Sequence, residues 1–254
     1  VHDMEYIFME TPFVTGIPTA FGGSGDPSPY TAHGVLMGIK ASVKEKMNRD
    51  DLKGIRVAVQ GLGNVGAHLV DFLIKEGAEV IVADIDPEKV AKIKEKHSHI
   101  KEVDPQEIVT TECDVFAPCA MGAIINDKTL PLLKCQIIAG GANNQLAEPR
   151  HGQALFEKGI LYAPDYVINA GGLMNVFVEL EGYSSDRAFE KTMQVYDNLM
   201  NVFKISKQEN VPTYIAADRL AEHRIKKIGN LRQHHHGRMA RPFSTLKEMT
   251  TRQK

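Results

Sequence analysis

The stretch Arg56-Val57-Ala58-Val59-Gln60-Gly61-Leu62-Gly63-Asn64-Val65-Gly66-Ala67 decides the fold. A short β-branched run ends in a Gly-x-Gly-x-x-Gly turn, after which apolar Leu69, Val70, Phe72 and Leu73 recur at helical spacing. Glycine-rich turns are common by themselves, but strand, turn and helix in register are not. Each glycine has its own reason: Gly61 permits the tight bend, Gly63 lets backbone approach a pyrophosphate, and Gly66 lets helix and strand pack closely. The amino end of the helix adds unpaired N–H donors and a partial positive charge. Gly61, Leu62, Gly63, Asn64, Val65, Gly66 and Ala67 are therefore candidate cofactor contacts.

A second strand pattern, Glu79–Ala83, ends at Asp84, about twenty residues beyond the turn, where such folds place an acid that accepts hydrogen bonds from a ribose diol. A carboxylate there repels a 2′-phosphate, and Ile85 and Asp86, which follow, supply no arginine to compensate. The cofactor predicted is NAD, with Asp84 and Ile85 at its ribose end. Asp86-Pro87-Glu88 places a helix N-cap, a first-turn proline and a dipole-favoured acid in succession, so Asp86 is assigned to capping.

Outward from this centre, short β-branched runs at Arg56–Gln60, Glu79–Ala83, 115–117 and 137–139 alternate with helical patterns at 67–75 and Pro87–Lys96. That alternation predicts an α/β fold of Rossmann type, a doubly wound, mostly parallel sheet with flanking helices. Upstream, 11–29 is rich in Gly, Pro, Ser and Thr and reads as a hinge, followed by a half-buried helix over 31–47. Downstream, 186–207 and 213–227 read as two amphipathic helices, a C-terminal helical extension, before a basic tail over 232–254 that contains His234, His235 and His236. The histidine run is read as solvated, with no metal site.

Hydrophobic residues at 43% and charged residues at 24% fit a globular domain, and no apolar run reaches the ~18 residues of a membrane span. Thirty basic against 32 acidic residues give a net charge of -2, which argues against nucleic acid or a membrane surface as partner. Cys113, Cys119 and Cys135 form neither an even set nor a CxxC pair; they read as buried thiols in a reducing, cytoplasmic compartment. The opening Val1-His2-Asp3-Met4 carries no signal-peptide pattern, and its lack of an initiator methionine is read as truncation.

Further motifs resemble those of the leucine, valine and phenylalanine dehydrogenases, a family that also includes glutamate dehydrogenases. They are Val14-Thr15-Gly16-Ile17, Gly25-Asp26-Pro27-Ser28-Pro29, Ala117-Pro118-Cys119-Ala120, Gly141-Ala142-Asn143-Asn144-Gln145-Leu146, Glu148-Pro149-Arg150-His151-Gly152 and 162–172, in family order and spacing from about Val1 to Ile228. The resemblance implies NAD-dependent oxidative deamination of an L-amino acid to a 2-oxo acid and ammonia. It also implies that Thr31 and Asn143 lie near the nicotinamide end, that Cys119 and Ala120 border the adenosine-ribose path, and that Leu173 and Val176 line the pocket for the substrate side chain. Asn169, after a strand-like 166–168 and before Gly171-Gly172, reads either as an amide that orients substrate or cofactor or as a helix N-cap. The apolar Leu173–Val176 pair argues against glutamate, and the 25–29 motif leans toward branched-chain substrates, with phenylalanine as the alternative. A homo-oligomer is implied by resemblance only.

The resemblance also implies a preceding domain with two lysines, one holding the substrate carboxylate and one acting as general base, and an aspartate; none of those motifs is found in this chain. Lys40, Lys44 and Asp3 are not expected to replace them. The expected division is a remnant of that domain and hinge over 1–30, a dinucleotide-binding domain over 31–182, C-terminal helices over 183–230 and the tail over 231–254. Such a chain is expected to bind NAD and to be catalytically incomplete, the alternative being a shortened protein that binds NAD or joins an oligomer without catalysis.

Overall fold

A computed structural model gives the architecture of this chain; the residues it describes are 2–234, with side chains described for 2–228. Among them six strands form one sheet: β1 (Arg56–Gln60), β2 (Glu79–Ala83), β3 (Lys101–Glu102), β4 (Val115–Pro118), β5 (Ile137–Ile138) and β6 (Leu161–Tyr162). The order is β3-β2-β1-β4-β5-β6, and every pairing is parallel. The expected doubly wound sheet is present. Chain order reverses between β1 and β4, so the crevice outside their carboxyl ends is the switch point of the fold.

Period-two alternation divides the strand residues between two cores. Val57, Val59, Val80, Val82, Val115, Ala117 and Ile137 face one layer. Ala58, Ile81, Ala83, Phe116 and Ile138 face the other. On the first face lie α2 (Ser28–Met47), α3 (Asn64–Lys75) and α8 (Ser185–Glu209). Helix α2 is the central element of that layer: Val35, Ile39 and Val43 are fully buried, and it packs against α3, α7 (Gly171–Leu180) and α8. Glycines set these distances. A β-carbon on Gly38 would stand 2.3 Å from Ile168 Cγ1, and one on Gly171 only 2.1 Å from the carbonyl oxygen of Tyr30.

The remaining helices are α1 (His2–Glu10), α4 (Pro87–Lys96), α5 (Pro149–Glu157), α6 (Asp165–Ile168) and α9 (Thr213–His234). Asp86 caps α4 as expected, accepting the Glu88 N–H at 3.0 Å. Residues 166–168, expected as strand, are instead helix α6. Pro164 and Asp165 open a single helical turn that carries Ile168 against Gly38, and the sheet strand lies earlier, at Leu161–Tyr162. The two-residue β3 and β6 are too short to leave a periodic signal. Helix α9 continues to His234, seven residues beyond the expected end and into the expected tail. Gly229 is its one interior helix-breaker and costs only ~1 kcal/mol. His235, His236 and the rest of that tail lie outside the described residues.

No described helix is long and apolar enough to cross a membrane, and no described group of acid, histidine and cysteine side chains is arranged to hold a metal ion. Cys113 and Cys135 are buried, and Cys119 is partly buried against the core. It stands at the carboxyl end of the sheet, where the strands give way to loops.

The α2–α7 approach yields a stability prediction. Gly171→Ala should destabilise the chain by about 1 to 3 kcal/mol, as overpacked cores do. Gly34→Ala, whose β-carbon meets Gly171 at an ordinary 3.4 Å, should be neutral or mildly stabilising. Thermal unfolding followed by circular dichroism separates the two, and equal melting temperatures would contradict the packing.

Candidate functional site

The glycine turn joins β1 to α3 at the switch point. Gly61 has φ of 93°, a left-handed conformation that disfavours any side chain, and its N–H donates to Ala83 O at 2.8 Å. A β-carbon there would also stand 2.8 Å from Ala120 Cβ. One on Gly66 would lie 1.9 Å from the Gly61 carbonyl oxygen, so helix and turn are in main-chain contact. Gly63 is the opposite case: nothing lies within 4 Å of its β-position. Two glycines face protein and the middle one faces open space, as a turn admitting a ligand requires. Gly63 is also the N-cap of α3 and offers no side-chain cap, so the helix-start amides of Asn64 and Val65 receive none from it.

Asp84 stands beside the glycine turn at the end of β2. Its Oδ2 accepts the Leu62 N–H at 2.6 Å and its Oδ1 the Asp86 N–H at 2.8 Å. The acid is thus tied to the glycine turn itself, a second role that spacing alone does not reveal. Leu62 is buried among the core side chains, so of the turn residues it can face the crevice only with its main chain. Ile85 is 89% exposed beside Asp84, an apolar surface at the mouth of the crevice.

Across the switch point stand the residues that follow β4 and β5. The Cys119 N–H donates to Gln60 O at 2.7 Å, and its Sγ accepts the Gly141 N–H at 3.5 Å. Burial pushes the Cys119 thiol up to about 11, so it is protonated at neutral pH. Ala120 is exposed against Gly61. The Asn169 Nδ2 donates to Asn143 Oδ1 at 2.6 Å, which joins the two expected asparagines into one unit. Asn169 is the C-cap of α6, and its amide points to Asn143 and Gly141 O, so the N-cap reading is not the observed one.

Asn143, Asn169 and Leu173 line one cleft of about 640 Å³, together with Asp165, Tyr166 and Tyr214. Leu173 is 73% exposed on α7, and half-buried Val176 lies one turn along. Thr31 borders the same helix start: a β-carbon on Gly172 would stand 2.6 Å from Thr31 Oγ1, which itself donates to Pro27 O at 3.0 Å. Asp165 is a positioning group that sequence reasoning missed. Its Oδ2 accepts the Asn144 N–H at 2.6 Å and its Oδ1 the Tyr162 hydroxyl at 3.0 Å, which fixes the loop carrying Asn143. A prolyl-aspartyl pair at a helix start was its one signal. Lys40 and Lys44 on α2 are paired with Glu76 and Asp50, each at 2.9 Å.

A family model for glutamate/leucine/phenylalanine/valine dehydrogenases matches residues 22–232. Leucine dehydrogenase of Geobacillus stearothermophilus is 56% identical over 232 residues, which cover 91% of this chain and 63% of that protein. Phenylalanine dehydrogenase of Caldalkalibacillus thermarum (strain TA2.A1) is 44% identical over 233 residues, covering 90% and 63%. The crystal structure of L-tryptophan dehydrogenase from Nostoc punctiforme matches with a TM-score of 0.77 at 48% identity, over 80% of this chain and 62% of that one. The chain therefore spans under two thirds of the length of these relatives.

The contrast between Gly63 and Gly66 is testable. Gly63→Ala should leave the melting temperature of the chain within about a degree, because its β-carbon meets open space. Gly66→Ala should lower stability by about 2 kcal/mol or more, since turn and helix must separate. Calorimetry on the two variants distinguishes these outcomes, and a stable Gly66→Ala chain would refute the contact.

Proposed function

Because this chain belongs to the glutamate/leucine/phenylalanine/valine dehydrogenase family, we propose that it is the NAD-binding part of a dehydrogenase that oxidatively deaminates a branched-chain L-amino acid. The observation that carries the cofactor reading is the open face at Gly63 between the two packed glycines, with the Asp84 carboxylate held beside the turn by the Leu62 N–H. A pyrophosphate would sit against the unpaired amides of α3, from Gly63 to Gly66, and the half-charge of the helix start would stabilise it. Asp84 would accept hydrogen bonds from a ribose diol, Ile85 would flank it with apolar surface, and Cys119 and Ala120 would border the path from the other side. These features fit NAD and disfavour a 2′-phosphate.

When bound, the nicotinamide supplies the acceptor for the hydride that leaves the substrate α-carbon. This chain's own part is placement. Thr31 and the Asn143–Asn169 pair stand on the side of the crevice toward α7, where they would orient the reacting end of cofactor and substrate. Leu173 and Val176 present an apolar face that suits an aliphatic side chain; the same face would also accept an aromatic one, the alternative reading. The lysines and the aspartate that the family uses for carboxylate binding and proton transfer have no counterpart among the residues assigned here, and Lys40 and Lys44 are held in ion pairs on α2. The 254 residues by themselves are thus assigned to binding, with catalysis completed by a further part of a longer, oligomeric dehydrogenase.

Two measurements on the purified chain test this reading. NADH fluorescence should report a dissociation constant in the micromolar range, about -8 kcal/mol, while leucine, valine, isoleucine and phenylalanine give no NADH formation at alkaline pH. Failure to bind NADH would remove the reading; steady turnover would show a catalytic group within these residues. Asp84→Ala should weaken NADH by about ten- to a hundred-fold, the worth of a charge-assisted bond, and leave NADPH nearly unchanged. Equal losses for both cofactors, with a lower melting temperature, would reassign Asp84 to holding the turn alone.

A further inference from the structure

The hinge segment before α2 is a closed loop whose two ends are fastened to α7 by one carboxylate oxygen, with a further bond from an asparagine amide of the same helix. Within the loop, the Gly25 N–H donates to Ile17 O at 3.0 Å, Phe21 and Gly23 N–H donate to Pro18 O at 2.9 and 3.3 Å, and Gly22 N–H donates to Thr19 O at 3.0 Å. Gly23 is pressed so closely on Ile17 that a β-carbon would stand 2.2 Å from its carbonyl oxygen. The loop therefore holds its own shape. Its two ends meet at Glu179: Oε2 accepts the Gly16 N–H at 2.9 Å and the Ser24 N–H at 2.8 Å. Fully buried Asn175, one turn earlier on the same helix, donates from Nδ2 to Ser24 O at 3.2 Å and accepts the Tyr183 hydroxyl at 3.1 Å. The Tyr183 oxygen in turn lies 2.7 Å from the Tyr30 oxygen at the start of α2.

We infer that Glu179 is a positioning residue for the dehydrogenase reaction: by joining both ends of the 16–24 loop to α7, it fixes Gly16 as the point where the preceding chain pivots against the nucleotide fold. Gly16 stands at that boundary with φ of 76°, a left-handed conformation that favours glycine, and with nothing within 4 Å of its β-position. Helix α7 also presents Leu173 and Val176, so the clamp sets the direction of the chain before Gly16 relative to the proposed substrate face. The functional half of this inference rests on the reading of the chain as the nucleotide-binding part of a longer amino-acid dehydrogenase.

Amide exchange read residue by residue over 11–28 tests the clamp in the chain itself. In the unsubstituted chain protection should begin at Gly16. Glu179→Met, which keeps the side-chain length and removes the acceptor, should speed exchange at Gly16 and Ser24 by about ten- to a hundred-fold and move the boundary of protection past Gly16 to the loop's own bonded amides at Phe21, Gly22, Gly23 and Gly25. Glu179→Gln retains an acceptor oxygen and should keep the boundary at Gly16. Unchanged exchange in Glu179→Met, or an equal loss in Glu179→Gln and across the sheet, would overturn the clamp. In the complete dehydrogenase polypeptide, Glu179→Met should lower kcat/KM for the amino acid by about tenfold with KM for oxidised NAD unchanged, and Glu179→Gln should restore most of it. Unaltered kcat/KM would overturn the positioning role. Failure of the unsubstituted chain to bind NADH would remove the functional reading, while the exchange result would still judge the clamp.

Discussion

Main-chain contact between helices and their neighbours, made possible by glycine, is the constraint on which the rest of this structure depends. Turn and helix touch at Gly61 and Gly66, and α2 and α7 touch at Tyr30 and Gly171. The first contact brings the start of α3 to the carboxyl end of β1, at the switch point between β1 and β4. The second brings the start of α7, with its apolar outer face, to the start of α2 beside the same crevice. Both helix starts converge because no side chain separates them from what they pack against. Larger residues at either place would push one wall of the crevice outward, however well the remaining core were filled.

Half-buried carboxylates perform the complementary task of holding loops that have no ladder of their own. Asp84 ties the glycine turn to the end of β2, Asp165 ties the loop carrying Asn143 to the start of α6, and Glu179 ties the 16–24 loop to α7. Each accepts main-chain N–H groups that would otherwise lack partners, and a bond to an ionised acceptor contributes roughly twice what a neutral one does. Asp114 does the same at the opposite end of the sheet, where it accepts the Arg56 N–H at 2.9 Å and also pairs with that guanidinium. Burial alone would raise the Asp114 pKa, but the bonds from Arg56 outweigh it and hold the carboxyl below its ordinary value.

The sheet was legible because its strands are apolar on both faces and its glycines stand at fixed offsets. Val57, Val59 and Ala58 belong to different cores, yet all three are apolar, which is the mark of a strand buried on both sides. Asp86 was legible as a cap because its partner is two residues away. Partners distant in sequence left no comparable trace. Glu179 meets Gly16 and Ser24 across more than 150 residues, and Asp165 meets Asn144 across 21. The misread 166–168 shows the same limit: Tyr166, Val167 and Ile168 carry strand-forming side chains, but Pro164 and the docking of Ile168 on α2 impose a helical turn. Propensity favoured one answer and packing imposed another.

The two bonds to Asp84 have a thermodynamic consequence. A free aspartate at the mouth of a crevice samples several rotamers, and any ligand that needs one of them must suppress the others, at a cost of about 0.5 to 1.5 kcal/mol for an immobilised side chain. Here Leu62 and Asp86 have already selected the rotamer during folding. The loss of torsional entropy falls on the folding equilibrium instead of on association, and each carboxylate oxygen retains a lone pair for a further donor. A partner for Asp84 therefore meets a rigid acceptor, and its affinity is drawn from hydrogen bonds with little entropic discount.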